Sequence, residues 1–511
     1  MIVVFHQYNK VTEIERDGKN INILSTNIPS TLFKIANDYP DDLIIWCNTN
    51  LKASLNFLKL ESIFHHHKIM ASYSLTKNAF LSQGIGYVEG TPFININKKV
   101  SYPTWQMSSS VGGIHASALL PFRNEMKISN NFDYFLNSLA KLAMPLGLLC
   151  YSEPALLKDI AGELDKDKQS LYVLFRFIKQ HYKISWVFLL FLNFFIYERK
   201  VTILPLVFSL FYRRRRVNNN LLDLVEVQSV KKILENGTID VIIPTIGRKK
   251  YLYDVLKDLS VQSHLPKNVI IVEQNPILDS TSELDYITNE NWPFVIKHTF
   301  THQAGACNAR NLALNEVVSE WVFLNDDDNR FGPNLIEDTL RNCVKYGSRV
   351  SNNFYPKIGE KKQNNNVYQV PFFGSGNSFI TSNLLEKARF RMGFEFGYGE
   401  DSDFGMQLRN LGADVLFFPD PEISHLSAPI GGFRTKPVLA WQNDVIQPKP
   451  SPTIMLYNQL HKTPEQIKGY KTTLFFKFYK VQKVKNPIKY LNNFRKQWKQ
   501  SLFWANELKN K

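Results

Sequence analysis

Short apolar runs alternate with amphipathic stretches in the second half of the chain, and this alternation restricts the possible folds more than any other feature. Residues 240–244 (DVIIP) and 269–272 (VIIV) read as buried strands. Apolar residues recur between them at helical spacing, at Leu252, Val255, Leu256 and Leu259. A strand, a helix and a second strand in this order predict parallel pairing with a right-handed crossover.

Two more helix-then-strand pairs follow, with helices at 306–317 and 403–412 and strands at 321–325 and 414–419. The second half is therefore predicted to be an α/β domain with a mostly parallel sheet. Ligands bind such sheets at the carboxyl ends of the strands. The residues at these ends are Pro244, Thr245, Glu273, Gln274, Asn275, Asp326, Asp327, Asp328, Pro419 and Asp420.

The length and composition fit two globular domains with smaller appendages. A chain of 511 residues exceeds the size at which one hydrophobic core keeps growing. Hydrophobic residues make up 44% and charged residues 21%, which argues against a fibrous or wholly disordered chain. We predict an α/β domain at 1–180, apolar helices and a linker at 181–237, the main α/β domain at 238–440 and a helical tail at 441–511.

The charge balance favours anionic partners. Lys and Arg total 61 against 46 Asp and Glu, a formal net charge of +15, which suits nucleic acid, phosphorylated ligands or an acidic membrane face. The four cysteines lie far apart without metal-binding or disulfide spacing, as is usual in a reducing cytosol. The first residues lack the pattern of a secretory signal, so we expect a cytoplasmic location.

The first 180 residues carry fewer chemical signals. Strands are predicted at 1–5 and 43–47 and helices at 30–38 and 134–149, which is again an α/β pattern. Three consecutive histidines, residues 65–67, cannot all face one metal from a regular element. We interpret them as a solvated run or a loop edge.

Two apolar stretches, residues 184–197 and 201–212, lie between the predicted domains, and four arginines follow at 213–216. Each stretch is shorter than the roughly 20 residues that span a bilayer. They predict either helices lying in the membrane interface, which we favour, or a buried helical hairpin. The tail from Lys462 is rich in lysine and aromatic residues, and we favour an anionic membrane over RNA as its partner.

Three consecutive acids, Asp326, Asp327 and Asp328, follow a predicted strand. Their charges repel unless a metal ion or cationic side chains compensate them, and a divalent metal that neutralises a bound diphosphate is the simplest explanation. A solvated acidic turn is the alternative. A calcium-binding EF-hand loop is rejected, because Arg330 and Phe331 stand where an acid and a glycine are required.

A second acidic cluster, Glu400, Asp401 and Asp403, opens a predicted helix after two glycines. Acids at this position commonly only cap the helix. With the loop 374–377 (GSGN) they describe a backbone-rich pocket in which a carboxylate could act as general base toward an alcohol. Arg310 lies early in another helix, where it can meet phosphate or pair with the acidic site, or simply pack.

Six segments occur in a fixed order along the chain: IIPTIGR, IIVEQNP, GACNARNLAL, FLNDDDN, GYGEDSDFGMQLRNLGADV and ISHL. In this order they resemble the motif series of glycosyltransferase family 2, over roughly residues 238–435. The resemblance implies a GT-A fold, which is a Rossmann-like α/β domain. It also implies a divalent metal cofactor, Mn2+ or Mg2+.

The resemblance assigns donor and acceptor positions to individual residues. Pro244, Thr245 and Glu273 match the positions that hold the base and ribose of the nucleotide, although the family usually has Asp at the position of Glu273. Arg310, Asp326 and Asp327 fall in what resembles the donor pocket. Gly376 and Asn377 fall in what resembles the acceptor pocket.

The metal ligands implied by the resemblance are Asp326 and Asp328, with His425 as an additional ligand. Asp401 matches the catalytic base, and Glu400 beside it is the second candidate. The implied reaction is inverting transfer of a sugar, of the hexosyltransferase type, from a nucleotide-diphosphate donor to an acceptor hydroxyl. A glycan or lipid-linked acceptor in bacterial polysaccharide or glycolipid assembly is expected, at the inner face of the cell membrane.

The N-terminal region echoes the same layout, since LIIWCNTN lies where an acidic motif would follow a strand and SSSVGGIHASALL resembles the glycine-bearing loop. It lacks the acids, so we interpret it as a degenerate, non-catalytic GT-A-like unit, with an unrelated α/β docking module as the alternative. Two other functions remain open for the chain: an inactive protein that binds sugar nucleotides or glycans, and a nucleotidyltransferase. The single glycine of TIGRKK argues against the latter.

Overall fold

The computed structural model describes residues 1–21, 27–76, 80–158, 170–357, 359–362, 364–428 and 438–510. They form two units, one of residues 1–231 with 462–482 and the other of residues 232–461 with 483–511. Each unit is built around its own mixed sheet. The α/β class predicted for both halves of the chain is confirmed.

An eight-stranded sheet forms the centre of the first unit. Its strands are β1 (Ile2–Gln7), β2 (Lys10–Arg16), β3 (Lys19–Asn20), β4 (Leu43–Asn48), β5 (Ile69–Tyr73), β6 (Tyr102–Pro103), β7 (Val111–His115) and β8 (Leu149–Ser152). Their order across the sheet is β3-β2-β1-β4-β7-β5-β8-β6. The pairs β1/β4 and β5/β8 are parallel, and the other pairs are antiparallel.

Seven α-helices accompany this sheet in the described part of residues 1–231. They are α1 (Ile28–Asp38), α2 (Leu60–Ile63), α3 (Ala116–Leu119), α4 (Phe132–Ala143), α5 (Leu171–His181), α6 (Ile184–Glu198) and α7 (Ile203–Leu210). The helix predicted at 134–149 ends earlier than expected, because its last residues turn and enter β8. The core joins Trp46 of the sheet to Phe132 and Phe135 of α4.

The interpretation of residues 65–67 as a solvated run is wrong for two of the three histidines. His65 and His66 are 7% and 4% exposed. His65 Nδ1 lies 2.8 Å from the Ser229 hydroxyl, and burial lowers the pKa of His66 to about 3. The buried rings are neutral because desolvation opposes the charged form.

The second unit also contains an eight-stranded sheet, together with a separate two-stranded ribbon. Its strands are β9 (Ile239–Thr245), β10 (Asn268–Gln274), β11 (Val295–Thr301), β12 (Trp321–Asn325), β13 (Asn329–Phe331), β14 (Val350–Asn353), β15 (Tyr368–Gln369), β16 (Asn377–Thr381), β17 (Leu416–Phe418) and β18 (Ile423–His425). The sheet order is β11-β10-β9-β12-β16-β14-β17-β15, and β13 pairs with β18. The predicted parallel pairing of the first two strands of this half is confirmed by β9 and β10.

The helices of the second unit follow its strands along the chain. They are α8 (Lys249–Ser260), α9 (Tyr286–Asn289), α10 (Ala306–Asn315), α11 (Leu335–Tyr346), α12 (Glu400–Asn410) and α13 (Pro452–His461). Two helices complete the described chain, α14 (Pro464–Val481) and α15 (Pro487–Lys509). Of these, α14 belongs to the first unit, apart from the other tail helices, and α15 belongs to the second.

Six strands of each sheet share one topology. The order is β1-β4-β7-β5-β8-β6 in the first sheet and β9-β12-β16-β14-β17-β15 in the second, with the same succession of parallel and antiparallel pairs. The six strands also follow one another in the same order along the chain. Beyond the shared strands, β1 continues into the antiparallel β2 and β3, whereas β9 continues into the parallel β10 and β11.

Candidate functional site

The carboxyl ends of three parallel strands in the second unit place the predicted donor residues at one edge of the sheet. The end of β9 pairs with the end of β10 at Thr245 and Glu273. β12, which is parallel to β9 on the other side, leads directly into Asp326. The Thr245 hydroxyl donates to the Asp327 carboxylate over 2.7 Å.

Each acid of the triplet lies close to a basic side chain. Arg310 lies 3.1 Å from Asp326, Arg248 lies 2.5 Å from Asp327, and His425 lies 3.5 Å from Asp328. Burial raises the pKa of Asp327 to about 6, against the opposing effect of Arg248. Arg310 and Arg248 thus offset part of the negative charge of the three adjacent carboxylates.

The short ribbon of β13 and β18 brings His425 to the acidic triplet. Asn329 pairs with His425 across the ribbon, and the Ala428 amide donates to Asp328 Oδ2 over 2.8 Å. Sequence reasoning placed His425 here only through the resemblance, because nearly 100 residues separate it from Asp328. The pairing of β13 with β18 explains why His425 and Asp328 lie close together.

Tyr355 connects these groups, and the sequence carried no signal for it. Its ring stacks on that of His425 with centroids 4.8 Å apart. Its hydroxyl donates to Asn329 Oδ1 over 2.6 Å and to Asp326 Oδ2 over 3.3 Å. The Tyr355 side chain therefore contacts all three residues, Asp326, Asn329 and His425.

The acidic triplet and His425 fit a divalent ion only in part. Among the described residues, no group of three or more His, Cys, Asp or Glu side chains is spaced to hold a metal. Asp328 Oδ1 and His425 Nε2 are nevertheless 3.5 Å apart, which suits two ligands that each lie about 2.1 Å from one ion. Asp326 contacts Arg310 and Tyr355 instead, so its use as a third ligand would require it to leave those partners.

Asp401 differs from the other acids of its cluster. It lies in the first turn of α12, and its Oδ1 is buried without a hydrogen-bond partner among the described residues. Burial raises the pKa of Asp401, while Arg310 and Ser375 oppose the rise. The pKa of the neighbouring Glu400 is also raised, first by burial and then by Asp401. A buried carboxylate with one unpaired oxygen is suited to accept a proton.

Asp403, the third acid of this cluster, is occupied by structural contacts. Its carboxylate accepts from Arg391 over 2.9 Å, from Gln407 over 2.8 Å and from His461 over 2.7 Å. Asp403 is 1% exposed. The structure thus separates an acid that holds helices together from the two that face the candidate site.

The glycine loop before β16 lies directly against the acidic triplet. A Cβ atom on Gly376 would lie 2.2 Å from Asp326 Oδ2, so no larger residue fits without moving that carboxylate. Asn377, predicted with Gly376 for the acceptor pocket, is 5% exposed and donates to the Asn353 carbonyl. Of the two, Gly376 is the one whose backbone borders Asp326.

Arg310 lies between the two acidic clusters. It is 8% exposed, contacts Asp326, and its Nε has no hydrogen-bond partner among the described residues.

The helix that carries Arg310, α10, begins after Gly305, which has φ of +146°. The Glu395 carboxylate accepts from the amides of Cys307 and Asn308 over 3.1 and 2.8 Å. Sequence reasoning did not identify Glu395, since 85 or more residues separate it from the helix that it caps.

Glu273 is held by neighbours at the end of β10. Its carboxylate accepts from the Ser282 hydroxyl, from the Glu283 amide over 3.1 Å, and contacts His298 Nε2 at 2.9 Å. Pro244 precedes Thr245 at the end of the neighbouring β9. These residues border the sheet edge that carries Asp327.

The second unit thus has an open α/β sheet with acids at the carboxyl ends of its strands, and comparison with known proteins finds a family that matches this part of the chain. Residues 240–403 match the model of the family described as Glycosyl transferase family 2. This segment contains every predicted site residue except His425. The match covers under half of the chain and confirms the resemblance of these residues to glycosyltransferase family 2.

Two relatives and two solved structures illustrate the similarity. An uncharacterised glycosyltransferase of Rickettsia conorii is 29% identical over 150 residues, and one of Rickettsia felis is 26% identical over 149 residues. Each alignment covers 29% of this chain and 24% of the relative, so the chain spans about a quarter of the length of these relatives. The crystal structure of S. aureus TarS aligns with 19% identity and a TM-score of 0.31, over 38% of this chain and 37% of that one. The structure of TarS 1–349 with UDP-GlcNAc aligns with 16% identity and a TM-score of 0.34, over 50% and 79% of the two chains.

Proposed function

We propose that the second unit transfers a sugar from a nucleotide-diphosphate donor to an acceptor hydroxyl by one direct displacement, with inversion at the anomeric carbon. The observation that carries this proposal is the buried, unpaired Oδ1 of Asp401 beside the cluster of Arg310 and Asp326. Asp401 accepts the proton of the acceptor hydroxyl as that oxygen attacks. Glu400 is the second candidate for this role.

The donor occupies the strand ends in this proposal. Pro244, Thr245 and Glu273 hold the base and ribose, and Arg310 binds the diphosphate together with the region around Asp326 and Asp327. The unpaired Nε of Arg310 supports its role, because a buried guanidinium group requires an anionic or polar partner. Gly376 and Asn377 border the acceptor.

Asp328 and His425, with Asp326 as the third ligand, would hold Mn2+ or Mg2+. A divalent ion bound there would stabilise the negative charge that develops on the departing diphosphate. The separation of Asp328 and His425 supports the site, and Tyr355 keeps the imidazole ring in place. Arg310, which contacts Asp326, contributes a fixed positive charge next to this ion site.

The test compares Asp401→Asn with Glu400→Gln in the full chain. We expect Asp401→Asn to lower the rate of sugar transfer by about 10²–10⁴-fold while donor binding, measured by calorimetry, is retained. Glu400→Gln keeps a polar group of the same size and is expected to retain most activity. The assay measures nucleoside diphosphate released from common sugar nucleotides in the presence of Mn2+ or Mg2+.

The same assay separates the alternatives. Pyrophosphate in place of nucleoside diphosphate would indicate nucleotidyl transfer, and donor binding with neither product would indicate an inactive binding protein. Full activity of Asp401→Asn would contradict the assignment of the base. A loss in Glu400→Gln alone would move that role to Glu400.

We further propose that residues 1–180 form a non-catalytic domain, followed by apolar helices and a linker at 181–237, the catalytic domain at 238–440 and a tail at 441–511. The acceptor is a glycan or a lipid-linked glycan, and the reaction belongs to bacterial polysaccharide or glycolipid assembly. The enzyme works in the cytoplasm against an anionic membrane surface. The basic, aromatic composition supports this partner.

A further inference from the structure

A continuous run of exposed apolar side chains lies on α6, α7 and the turn that follows, and we refer to it as the α6–α7 surface. Phe188 on α6 is 49% exposed, Leu204 on α7 is 62% exposed and Phe211 after α7 is 82% exposed. Ile203, Val207 and Phe208 are also exposed. Clustered exposed apolar residues of this size mark a binding surface rather than an ordinary protein exterior.

Helical spacing explains why these side chains form one face. Ile184, Phe188 and Phe195 are four and seven residues apart, so they lie on the same side of α6. The opposite side, with Leu190 and Phe194, is buried in the first unit. A helix that is apolar on both its buried and its exposed sides needs an apolar partner outside the protein.

Helix α7 repeats this arrangement over a shorter length. Pro205 and Ser209 are its buried residues, and the remaining positions carry apolar side chains. No charged residue occurs in α7. An apolar cavity of about 550 Å3 opens beside it, lined in part by Leu171, Tyr172 and Val201.

Exposed cations surround this apolar surface. Lys183 precedes α6, Arg199 and Lys200 separate the two helices, and Arg213 and Arg214 follow them. The only acid in residues 170–216 is Glu198, whose carboxylate accepts from Tyr87 and Lys200. Apolar side chains bordered by cations match a bilayer whose headgroups are anionic.

The lengths of the helices determine how they can meet a bilayer. α6 contains 15 residues and α7 contains 8, which correspond to about 22 and 12 Å, less than the hydrocarbon thickness of about 30 Å. Among the residues that the structure describes, no helix combines the length and apolar character needed to cross a membrane. These helices can therefore lie within the interface with their apolar side facing the acyl chains.

We propose that the α6–α7 surface docks the enzyme onto an anionic phospholipid bilayer, with α6 and α7 lying in the plane of the interface. Phe188, Leu204 and Phe211 enter the acyl boundary, and the arginines that follow α7 meet phosphate groups. This inference deepens the proposed membrane association by assigning it to one surface of the first unit. Vesicle binding does not require sugar transfer, so the two proposals fail independently.

The test measures co-sedimentation of the full chain with vesicles of phosphatidylcholine alone or mixed with phosphatidylglycerol. We expect strong binding to the anionic vesicles that weakens as salt is raised, and weak binding to phosphatidylcholine. The variant Leu204→Ser/Phe211→Ser should lower the partition coefficient at least about tenfold. The variant Arg213→Gln/Arg214→Gln/Arg216→Gln should lower binding to anionic vesicles by roughly a hundredfold.

The matched control is Leu224→Ser/Val261→Ser, because Leu224 and Val261 are 99% and 63% exposed and lie outside the α6–α7 surface. It should bind vesicles as the unmodified chain does, and thermal unfolding verifies that all variants fold. The proposal is overturned if the unmodified chain ignores anionic vesicles or if Leu204→Ser/Phe211→Ser binds normally. A dimer that dissociates in this variant without vesicle binding would also overturn it, since a second copy would then cover the surface. Nucleoside diphosphate release with a soluble acceptor, measured in parallel, reports on the chemistry alone.

Discussion

The acidic side chains of the second unit differ in their hydrogen-bond partners. Asp327 is bound by Thr245 and Arg248, and Asp403 by Arg391 and His461, so both are held inside the protein. Asp401 instead keeps a buried oxygen without a partner among the described residues. Because leaving a buried acceptor unpaired costs free energy, such a group points to a function rather than to stability.

Gly376 offers a test at the scale of one side chain. In Gly376→Ala, the new Cβ would lie 2.2 Å from Asp326 Oδ2, and the carboxylate must move away. We expect sugar transfer to fall by about 10²-fold, because displacements near 1 Å at an active site have effects of this size. Steady-state release of nucleoside diphosphate measures the change.

Gly332→Ala is the matched control for this substitution. Nothing lies within 4 Å of the position that its Cβ would take, so the activity should stay at the level of the unmodified chain. Equal activity of the two alanine variants would show that the contact between Gly376 and Asp326 has no functional importance.

At the scale of elements, two connections assemble the site from distant parts of the chain. The ribbon of β13 and β18 brings His425 beside Asp328. The Glu395 carboxylate accepts from two backbone amides at the N-terminus of α10, the helix that carries Arg310. Negative charge at a helix N-terminus is stabilising because it pairs with the free amides and the helix dipole.

The cap on α10 leads to a prediction about stability. Glu395→Ala leaves the amides of Cys307 and Asn308 without their acceptor, and we expect the free energy of unfolding to fall by about 1 to 2 kcal/mol. Glu395→Gln, which retains an oxygen acceptor, should lose less. Urea unfolding followed by circular dichroism measures both.

Glu386→Ala serves as the control for the cap, because Glu386 is exposed in the same unit. A change within about 0.5 kcal/mol is expected there. If Glu395→Ala proved as stable as this control, the carboxylate would contribute nothing to the helix.

The whole molecule contains the same six-strand arrangement twice, and only the second copy has acids at the end of its central strand. Cys47 of β4 faces Val111 of β7 as Asn325 of β12 faces Asn377 of β16. The residues that follow Cys47 and Asn325 therefore correspond, so Asn48 occupies the position of Asp326. The first sheet also lacks the parallel β10 and β11 whose edge carries Glu273.

Hydrogen bonds to other residues of the first unit hold the loop before β7 in place. Trp46 Nε1 donates to the Ser108 carbonyl over 2.9 Å, and the Ser109 amide donates to Asp133 over 2.8 Å. His6 Nε2 lies 2.7 Å from the Ser109 carbonyl. The polar groups of this loop are thus paired within the first unit.

Matched double substitutions in the two units test which unit carries out sugar transfer. Asn48→Ser/Asn50→Ala should retain full transfer activity, because asparagines at these positions supply no charge to a diphosphate. Asp326→Asn/Asp328→Asn, at the equivalent positions, should lower activity by about 10³-fold or more. Loss of transfer in a folded Asn48→Ser/Asn50→Ala protein would place the first unit in the chemistry.

The amino-acid sequence by itself determined the local elements and the order of the chemical motifs. The strand at Trp321–Asn325 matches its predicted bounds, and β9, β10 and α10 lie within two residues of theirs. Period-two and helical patterns are local properties, and so is the position of an acid directly after a strand. The family resemblance depended on the same local segments, and the comparisons confirmed it.

Only the tertiary structure decided which charges meet. The pairing of Asp327 with Arg248, the stacking of Tyr355 on His425, and the cap that Glu395 places on α10 join residues that lie 70 to 87 positions apart. The sequence indicated a similar layout in the two halves, but the strand order that the two sheets share is set by long-range backbone hydrogen bonds. Such contacts depend on how strands and helices pack in three dimensions, and no local periodicity records them.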